Sequence, residues 1–478
     1  MGSIITRLAS ETQGNASPER DKQAIAEGSG MRVSIGLATG CVMFAAFAVG
    51  ASAQISLSSA VGLAEHTDPR IKMAEASVKK AAAALQETYD AYVPSVDMNA
   101  GYGKGVGVPT TLPTVFSLSG QSLAYNFSQR DNIRSASSGL DAAKLQLRDA
   151  REQVDEDVAV TYINLDNALR RQAATTQELG FATRLTTIIQ ERLDAGQDTR
   201  VDLLKARRTA KEIELQQLQT TDDIEALTDH LARLIGLPGD HLTTLSSSIP
   251  PLPPVAALSD NPVRSPGVQS AFANARSKQE YAFGASRYRL RPQLSLGMNY
   301  TRIDTGQNDY TDYYKDFAVG KSENAESIYL SVQIPLFDRR HEDEAHQAQA
   351  EATRANFEAQ SAQGKFLEGR LKLKHSTAEL SAQSDLAEID QELAQEQING
   401  ILAQLSAASG SSDQQQLTPK DEQNARLQER ARTVDLLNAQ YQLSQAEINL
   451  LRQNGQLDEW LKTPTTVPAA VTLSPVTH

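Results

Sequence analysis

The stretch RLDAGQDTRVDLLKA, residues 192–206, has the composition of a sharp turn between two long helices. Gly196 permits the left-handed backbone conformation in which helices often end. Thr199 belongs to the residue types that cap a new helix, and Asp202 would lie in the first turn of that helix, where its dipole favours a carboxylate. The stretch therefore predicts a helical hairpin with an exposed turn.

The chain before this turn has the pattern of one very long helix. Residues 131–192 contain no proline, and apolar residues recur there at three- and four-residue steps. This spacing forms a continuous apolar stripe on one side of a helix, as in coiled coils. At 1.5 Å per residue the helix would be about 90 Å long. One small domain cannot bury such a stripe, so the sequence predicts a bundle or a helical tube.

The same order of features occurs twice in the chain. A first proline lies in a predicted short helix, at about 57–92 in one copy and 263–290 in the other, and a second proline precedes a strand. An aromatic residue then closes a strand before a long helix, and a threonine and an aspartate follow the turn. The pairs are Pro69 and Pro266, Pro94 and Pro292, Phe127 and Phe337, Thr199 and Thr418, and Asp202 and Asp421. The number of residues between the two members of a pair grows along the chain. This predicts a duplication, with about 12 extra residues in the second hairpin and about 9 near the second turn.

Four segments alternate apolar and polar residues and are predicted to be strands. Their apolar positions are Val96, Met98, Ala100 and Tyr102; Leu123, Tyr125 and Phe127, with a bulge expected at Gly120; Leu294, Leu296, Met298 and Tyr300; and Ile328, Leu330, Val332 and Ile334. A water-filled membrane barrel needs this alternation, but a half-buried soluble sheet would show it too. Four strands cannot close such a barrel, so the barrel interpretation requires the chain to oligomerise.

Residues 31–53 have the organisation of a secretory signal peptide. Met31 and Arg32 precede an apolar run, and Ala51-Ser52-Ala53 forms a small-residue cleavage site before Gln54. A transmembrane anchor is the alternative. Cys41 lies in the apolar run and is predicted to be removed with it. Met31 is an alternative start of the chain.

The predicted organisation therefore has five parts. They are an N-terminal extension with the signal peptide (1–53); a first repeat (54–248), with strands at about 94–128 and its turn at about 193–200; a Pro-rich linker (249–266); a second repeat (267–461), with strands at about 292–337 and its turn at about 405–418; and a disordered tail (462–478).

Composition and spacing disfavour several other functions. The net charge of -13 argues against a nucleic-acid partner, and one cysteine cannot form a disulfide framework. His341 and His346 are five residues apart, whereas zinc ligands on a helix usually lie three or four apart. We find no Ser/His/Asp or Cys/His set, so we expect no enzyme, no cofactor and no bound metal.

The turn at residues 192–206 and several shorter motifs resemble those of the TolC-like outer-membrane efflux factor family. Residues 192–206 are similar to its Arg-x-x-Ala-Gly turn, which is followed by Asp-Leu and Ala. Residues 92–94 before a strand, 334–338 after a strand and 234–239 after a helix also match the habits of the family. The resemblance covers roughly residues 56–461 and depends on the order and spacing of these motifs.

The resemblance implies a mainly α fold with a membrane β portion. Three identical subunits would each give four strands to one barrel in the outer membrane of a Gram-negative bacterium, in contact with its lipid. The long helices would form a tunnel into the periplasm, and their turns would contact a periplasmic adaptor docked on an inner-membrane pump. Cargo would pass without chemistry. The implied docking residues are Arg192, Ala195, Gly196, Thr199, Asp202, Leu203, Thr418 and Asp421, and Pro94, Phe127, Pro292 and Phe337 would bound the strands.

The second copy departs from this pattern at its turn. Residues 408–413 replace the Ala-Gly turn. Asp413 would either join a carboxylate ring at the aperture of a trimer or be a solvated loop residue. Two other functional classes remain open at this point, a soluble periplasmic coiled-coil adaptor or scaffold and a periplasmic enzyme. Two hairpins, each preceded by a strand pair, favour the channel over the adaptor, which would carry one hairpin between β modules.

Overall fold

The computed structural model describes residues 53–101, 114–238, 242–253, 265–288, 291–304, 322–407 and 418–463. The predicted signal peptide with Cys41, the residues Tyr102 and Asp413, and most of the predicted tail lie outside these ranges. Within them the chain is mainly helical and carries one four-stranded sheet and one two-stranded sheet. No helix in these ranges is both long and apolar enough to cross a membrane.

The elements form two similar sets along the chain. The first set is β1 (Ala53–Ile55), α1 (Leu57–Thr67), α2 (Pro69–Asp90), β2 (Ser95–Ala100), β3 (Thr114–Tyr125), α3 (Phe127–Asp194) and α4 (Arg200–Ile235). The second set is β4 (Leu242–Thr244), a 3-10 turn (Ser246–Ser248), α5 (Pro266–Ser286), β5 (Gln293–Asp304), β6 (Ser322–Gln333), α6 (Arg339–Ala407), α7 (Pro419–Gln453) and α8 (Leu457–Leu461).

The two long helices are nearly equal in length. Helix α3 has 68 residues and α6 has 69. The connection to the next helix is residues 195–199 in the first set but 408–418 in the second. The second connection is six residues longer than the first, so it holds most of the about nine extra residues expected near the second turn.

The segment 57–92, predicted as one helix, is two helices. Asp68 separates α1 from α2, and its carboxylate accepts a hydrogen bond from the Arg70 backbone N–H at 2.7 Å. Pro69 follows as the first residue of α2, where its missing N–H and fixed φ are tolerated. The single-helix prediction was wrong because an aspartate followed by a proline ends one helix and caps the next.

The main core surrounds Tyr162, in the middle of α3. Its ring is fully buried, and its hydroxyl donates to the Ile55 carbonyl at 2.7 Å and accepts from the Leu245 N–H at 2.7 Å. Ile55 ends β1, which pairs in parallel with β4 just before Leu245. This one hydroxyl therefore ties the beginning of the described chain and the connection between the two sets to the longest helix of the first set.

Apolar side chains from both sets complete this core. They come from α1, α3, α4, α7 and α8 and include Leu57, Val158, Leu231, Ile448, Leu451 and Trp460. The Trp460 indole N–H donates to the Pro251 carbonyl at 3.2 Å, and Ile249 and Leu252 also pack against the core. The first residues of the predicted linker thus belong to the packed layer.

The four-stranded sheet has the order β2-β3-β5-β6, and all neighbours are antiparallel. Strand β3 of the first set pairs with β5 of the second, so the two strand pairs form one surface. The outer edges are β2 and β6. Neither edge has a further strand among the described residues.

Two expected details of the strands were wrong. The pairing of β3 with β5 runs without a break through Gly120, and the irregularity lies between Leu123 and Tyr125. This irregularity puts Leu123 and Tyr125 on opposite faces, so the alternation predicted at that end fails. In addition, Phe127 begins α3, and Phe337 lies beyond the end of β6 at Gln333, so neither phenylalanine closes a strand.

The helical part of the chain contains buried carboxyl groups whose pKa values are raised. Burial, and next the charge of Asp435, raises the pKa of Glu178 to about 7. Burial alone raises the pKa of Glu447 to about 7. Between the ordinary pKa of 4.5 and about 7, the folded chain keeps a proton that the unfolded chain releases. Stability must therefore fall as the pH rises through this window.

We predict that Glu178→Gln reduces the dependence of stability on pH, because the amide cannot ionise. At pH 8 the variant should be more stable than the parent by on the order of 2 kcal/mol per subunit, and at pH 4.5 the difference should vanish. Helical circular dichroism during urea unfolding at both pH values measures the effect. Glu225→Gln, at an exposed site on α4, is the control, and an equal change in both variants would contradict the argument.

Candidate functional site

The first tip, which we define as residues 192–204, is a tight turn closed by backbone hydrogen bonds. Gly196 has a φ of 76°, in the left-handed region that residues with a Cβ rarely adopt. Its N–H donates to the Leu193 carbonyl at 2.9 Å, and the Gln197 N–H donates to the Arg192 carbonyl at 2.8 Å. These bonds satisfy carbonyls at the end of α3 that have no partner within the helix. Ala195 and Gly196 are exposed at the turn.

Each helix that follows a turn begins with a capping box. The Thr199 N–H and hydroxyl donate to the Asp202 carboxylate at 3.1 and 2.6 Å. The Thr418 N–H and hydroxyl donate to the Asp421 carboxylate at 2.8 and 2.7 Å. The threonine hydrogen bonds lower the pKa of both aspartates. Thr199, Asp202, Thr418 and Asp421 therefore fix where α4 and α7 begin.

An ion cluster joins the first tip to the start of α7. The Asp198 carboxylate accepts from the Arg192 guanidinium at 3.0 Å and from the Lys420 ammonium at 3.2 Å. The Asp198 side chain is only 8% exposed. We call Arg192, Asp198 and Lys420 the tip cluster. The ion pair of Asp198 with Lys420 was not predicted from the sequence, because the two residues lie 222 positions apart and only the fold brings them together.

The apolar residues of the first tip divide into a buried and an exposed group. Leu203 is 6% exposed and packs in a cluster with Ala182, Leu185, Ile189, Ala206 and Ile213. Val201 is 58% exposed and Leu204 is 55% exposed, three residues apart on one side of α4. Leu203 therefore holds the hairpin together, while Val201 and Leu204 form its free apolar surface. The packing of Leu203, Ala206 and Ile213 shows that Val201 and Leu204 lie off the buried side of α4.

The four-stranded sheet has one apolar and one polar face. Residues paired directly across neighbouring strands share a face, and the register aligns Val96 with Gly120, Met298 and Ile328, and aligns Leu296 with Leu330. The apolar face carries Val96, Met98, Leu118, Leu294, Leu296, Met298, Ile328, Leu330 and Val332, with Ser122 and Glu326 among its polar exceptions. The opposite face carries Asp97, Asn99, Ser117, Ser119, Gln121, Ser295, Asn299, Ser331 and Gln333. The alternation predicted for β2, β5 and β6 is therefore continuous across the sheet.

Two strand glycines make room for large neighbours. A Cβ on Gly297 would lie 2.4 Å from Cζ of Tyr329, whose ring covers this position on the polar face. A Cβ on Gly120 would lie 2.7 Å from Cγ of Met298 on the apolar face. Close side-chain approach therefore explains Gly120, for which the sequence suggested a bulge.

Exposed aromatic residues gather where the strands join the helices. Phe127 and Phe337 are both exposed, and the Tyr125 and Phe127 rings meet edge to face with centroids 4.9 Å apart. The Arg291 guanidinium lies 4.9 Å from the centroid of the Phe127 ring. Pro94 and Pro292 directly precede β2 and β5, as the sequence predicted.

Metal-ligating side chains do not gather in the parts of the chain that the structure describes. Within those parts, no three or more His, Cys, Asp or Glu side chains are placed to hold a metal ion. His341 pairs with Glu344 at 3.2 Å and stacks on Tyr288, with ring centroids 3.6 Å apart.

Comparisons with known proteins find a family model that matches part of the chain and solved structures with a similar fold. Residues 60–237 match the family model of the outer membrane efflux proteins. A comparison with curated protein sequences finds no match. The outer membrane protein VceC of Vibrio cholerae is similar in structure, with a TM-score of 0.64 and 19% identity over 84% of this chain and 96% of VceC.

Two further solved channels are similar over most of the chain. The outer-membrane channel OprN has a TM-score of 0.66 and 16% identity, over 85% of this chain and 90% of OprN. The Campylobacter jejuni CmeC outer membrane channel has a TM-score of 0.65 and 17% identity, over 85% of this chain and 89% of CmeC. Residues 60–237 are thus similar to the outer membrane efflux protein family, and the chain has the TolC-like fold of these solved channels.

Proposed function

We propose that the chain is the outer-membrane exit duct of a tripartite efflux or secretion system. The observation that carries the proposal is the sheet register, which gathers apolar side chains on one face and polar side chains on the other. An apolar face suits contact with lipid, and a polar face suits a water-filled lumen. The duct is passive, and cargo is selected by the pump to which it is coupled.

The duct is a homotrimer in this proposal. The sheet ends at β2 on one side and at β6 on the other, and β2 runs antiparallel to β6. Three sheets joined edge to edge keep every neighbouring pair antiparallel and leave no open edge, as a membrane requires. The exposed aromatic residues at the sheet–helix junction, Phe127 and Phe337 among them, would lie at the membrane–water interface.

The first tip is the proposed contact for a periplasmic adaptor, which is in turn bound to an inner-membrane pump. Val201 and Leu204 give this tip a small exposed apolar surface, and Ala195 and Gly196 add a backbone turn without bulky side chains. Gly196, Thr199 and Asp202 act indirectly, because they set the shape of the turn. Arg192 and Leu203 also support this shape, through the tip cluster and the buried stripe.

The second tip is proposed to contribute mainly through its start, where Thr418 and Asp421 fix α7 and Lys420 reaches Asp198. A role of Asp413 at the aperture remains part of this proposal. The alternative, a soluble periplasmic adaptor or scaffold, is less well supported, because a soluble protein would not leave the apolar face of the sheet uncovered.

We predict that Leu330→Arg prevents stable assembly in the outer membrane, while Ser331→Arg does not. The two residues are neighbours on β6 but face opposite sides of the sheet. An arginine on a lipid-facing strand costs about 2–4 kcal/mol near the middle of the bilayer, whereas one in the lumen changes ion selectivity. Trimer yield from outer membranes and single-channel selectivity measure the two effects. Equal yields would exclude the assignment of faces.

We predict that the double change Val201→Asp and Leu204→Asp lowers adaptor binding by about tenfold or more, because it places charges in an apolar contact. The matched control is Leu215→Asp with Leu218→Asp, two residues of the same helix that are exposed to a similar extent but lie farther from the tip. Cross-linking in intact cells, followed by mass spectrometry of the membrane-anchored adaptor, gives the measurement. If the control pair lost binding equally, the contact would not be at the tip.

We predict that Asp198→Asn favours an open form of the duct, in which the first tip has separated from the start of α7. The change removes the charge that holds both Arg192 and Lys420, and hydrogen bonds to charged groups are worth about 1.5–3 kcal/mol, so the open population should rise by about tenfold or more. Planar-bilayer recordings measure the open probability. Asp194→Asn, at an exposed aspartate that bonds only Gln190 in the same helix, is the control. An unchanged open probability in Asp198→Asn would show that the tip cluster does not restrain opening.

A further inference from the structure

A cavity of about 740 Å³ lies among α1, α3, α7 and α8, in the layer around the main core. This volume is within the range that holds small organic molecules. Five carboxylates and four cationic side chains line it. Its function does not follow from the duct proposed above, because it is formed neither by the tips nor by the sheet.

The cationic side chains of this cavity are already paired. Arg148 pairs with Glu152 at 3.2 Å, and Lys462 pairs with Asp458 at 2.7 Å, both within the lining. The two other arginines reach carboxylates outside the cavity: Arg151 pairs with Glu75, and Arg452 with Asp149 and Glu156. Three lining carboxylates, Glu65, Asp155 and Glu459, form no salt bridge among the described residues, and Lys462 and Arg151 reach Glu65 and Asp155 only through longer-range charge. The cavity therefore has an excess of negative charge.

Asp155 is the unusual member of this set. Its side chain is 6% exposed, and Oδ1 is buried without a hydrogen-bond partner in the described structure. Burial, and next the charges of Glu65, Asp458 and Glu152, raise the pKa of Asp155 to about 7 against the opposing charge of Arg151. A buried carboxyl group without a donor costs free energy that a bound donor would recover.

We propose that this cavity binds a small organic amine in its protonated form, with the ammonium group donating hydrogen bonds to Asp155 and facing Glu65. An ammonium group supplies both the missing donors and the missing positive charge. A metal ion fits less well, because the described residues do not bring three or more ligating side chains together for one. The volume also exceeds that of an ion by far, so the remainder of the ligand can occupy the space beside Leu457.

The test uses the purified full-length assembly in non-ionic detergent at pH 8, where Asp155 is ionised. The probe is 4-fluorobenzylamine, and its neutral counterpart of similar shape is 4-fluorobenzyl alcohol. Fluorine NMR line broadening gives the affinity of each compound. We expect saturable binding of the amine and at least about tenfold weaker binding of the alcohol, since a charge-assisted hydrogen bond is lost. Equal affinities, or displacement of the amine by stoichiometric Mg²⁺, would overturn the proposal.

Three variants locate the site. Asp155→Asn should weaken amine binding by about tenfold or more, and Glu65→Gln by a smaller factor. Glu65 is exposed, so its variant tests the site even if Asp155→Asn fails to fold. Glu447→Gln removes another buried carboxyl group with a raised pKa that does not line the cavity, and it should leave binding unchanged. Unchanged binding in both Asp155→Asn and Glu65→Gln would place the amine elsewhere, and loss of binding in Glu447→Gln would show a general effect of burial.

Discussion

A helix of 68 residues with an apolar stripe along its length must be covered along its length, and this constraint organises the rest of the structure. No single partner is long enough to cover α3. Instead α2 and α5 pack near the sheet, α4 packs along the first hairpin, and α7 of the second set packs along the same helix. The duplication is therefore more than a repetition, because the second copy supplies part of the cover that the first copy lacks.

The other long helix, α6, is not covered to the same degree. It packs against α5 and α7, but several of its large apolar residues remain exposed in the single chain, among them Phe357, Leu371, Leu386, Ile389 and Leu393. A monomer that left this apolar surface in water would be less stable than an assembly that covered it. The exposed side of α6 and the unpaired edges of the sheet therefore both favour an oligomer. Neighbouring subunits would cover the apolar side chains of α6 and pair with the edge strands.

The sequence predicted the features that depend on local patterns. Periodicity predicted the long helices and the strands β2, β5 and β6, and residue types predicted the cap at Thr199 with Asp202 in the first turn. It failed where one local choice competes with another, as at Asp68, where a cap interrupts a helical stripe. It also failed at Leu123, because a single irregularity in β3 exchanges the two faces of the strand.

The tip cluster and the free tip residues were beyond local reasoning for a different reason. Asp198 looks like an ordinary turn aspartate until the second copy brings Lys420 within 3.2 Å. Val201 and Leu204 look like helix residues of the stripe until the packing of Leu203 shows which side of α4 is buried. Long-range pairing decides these roles, so they follow only from the fold.

The contacts of α3 with its two partners differ in kind, and this difference bears on how the tips can move. Between α3 and α4 the seam is apolar, with Leu185, Ile189 and Leu203 at its end. Between α3 and α7 the apolar part is smaller, with Leu427 of α7 joining the same cluster, and polar contacts supply the rest. The Asn167 amide donates to the Leu437 carbonyl at 2.7 Å, Arg171 donates to Asn438, Arg426 lies over the Phe181 ring, and the tip cluster forms the last contact.

Water can replace a polar contact once two helices separate, whereas separating an apolar seam exposes surface at about 25 cal/mol per Å² with no such replacement. The first hairpin, α3 with α4, should therefore move as one body, and the weaker seam is the one between α3 and α7. Near Tyr162 the main core includes side chains from both hairpins and holds them together. Separation of the two hairpins is therefore easiest at the tips and is progressively restrained toward the core. A duct that opens at one end while its trunk stays intact requires this gradient of seam strength.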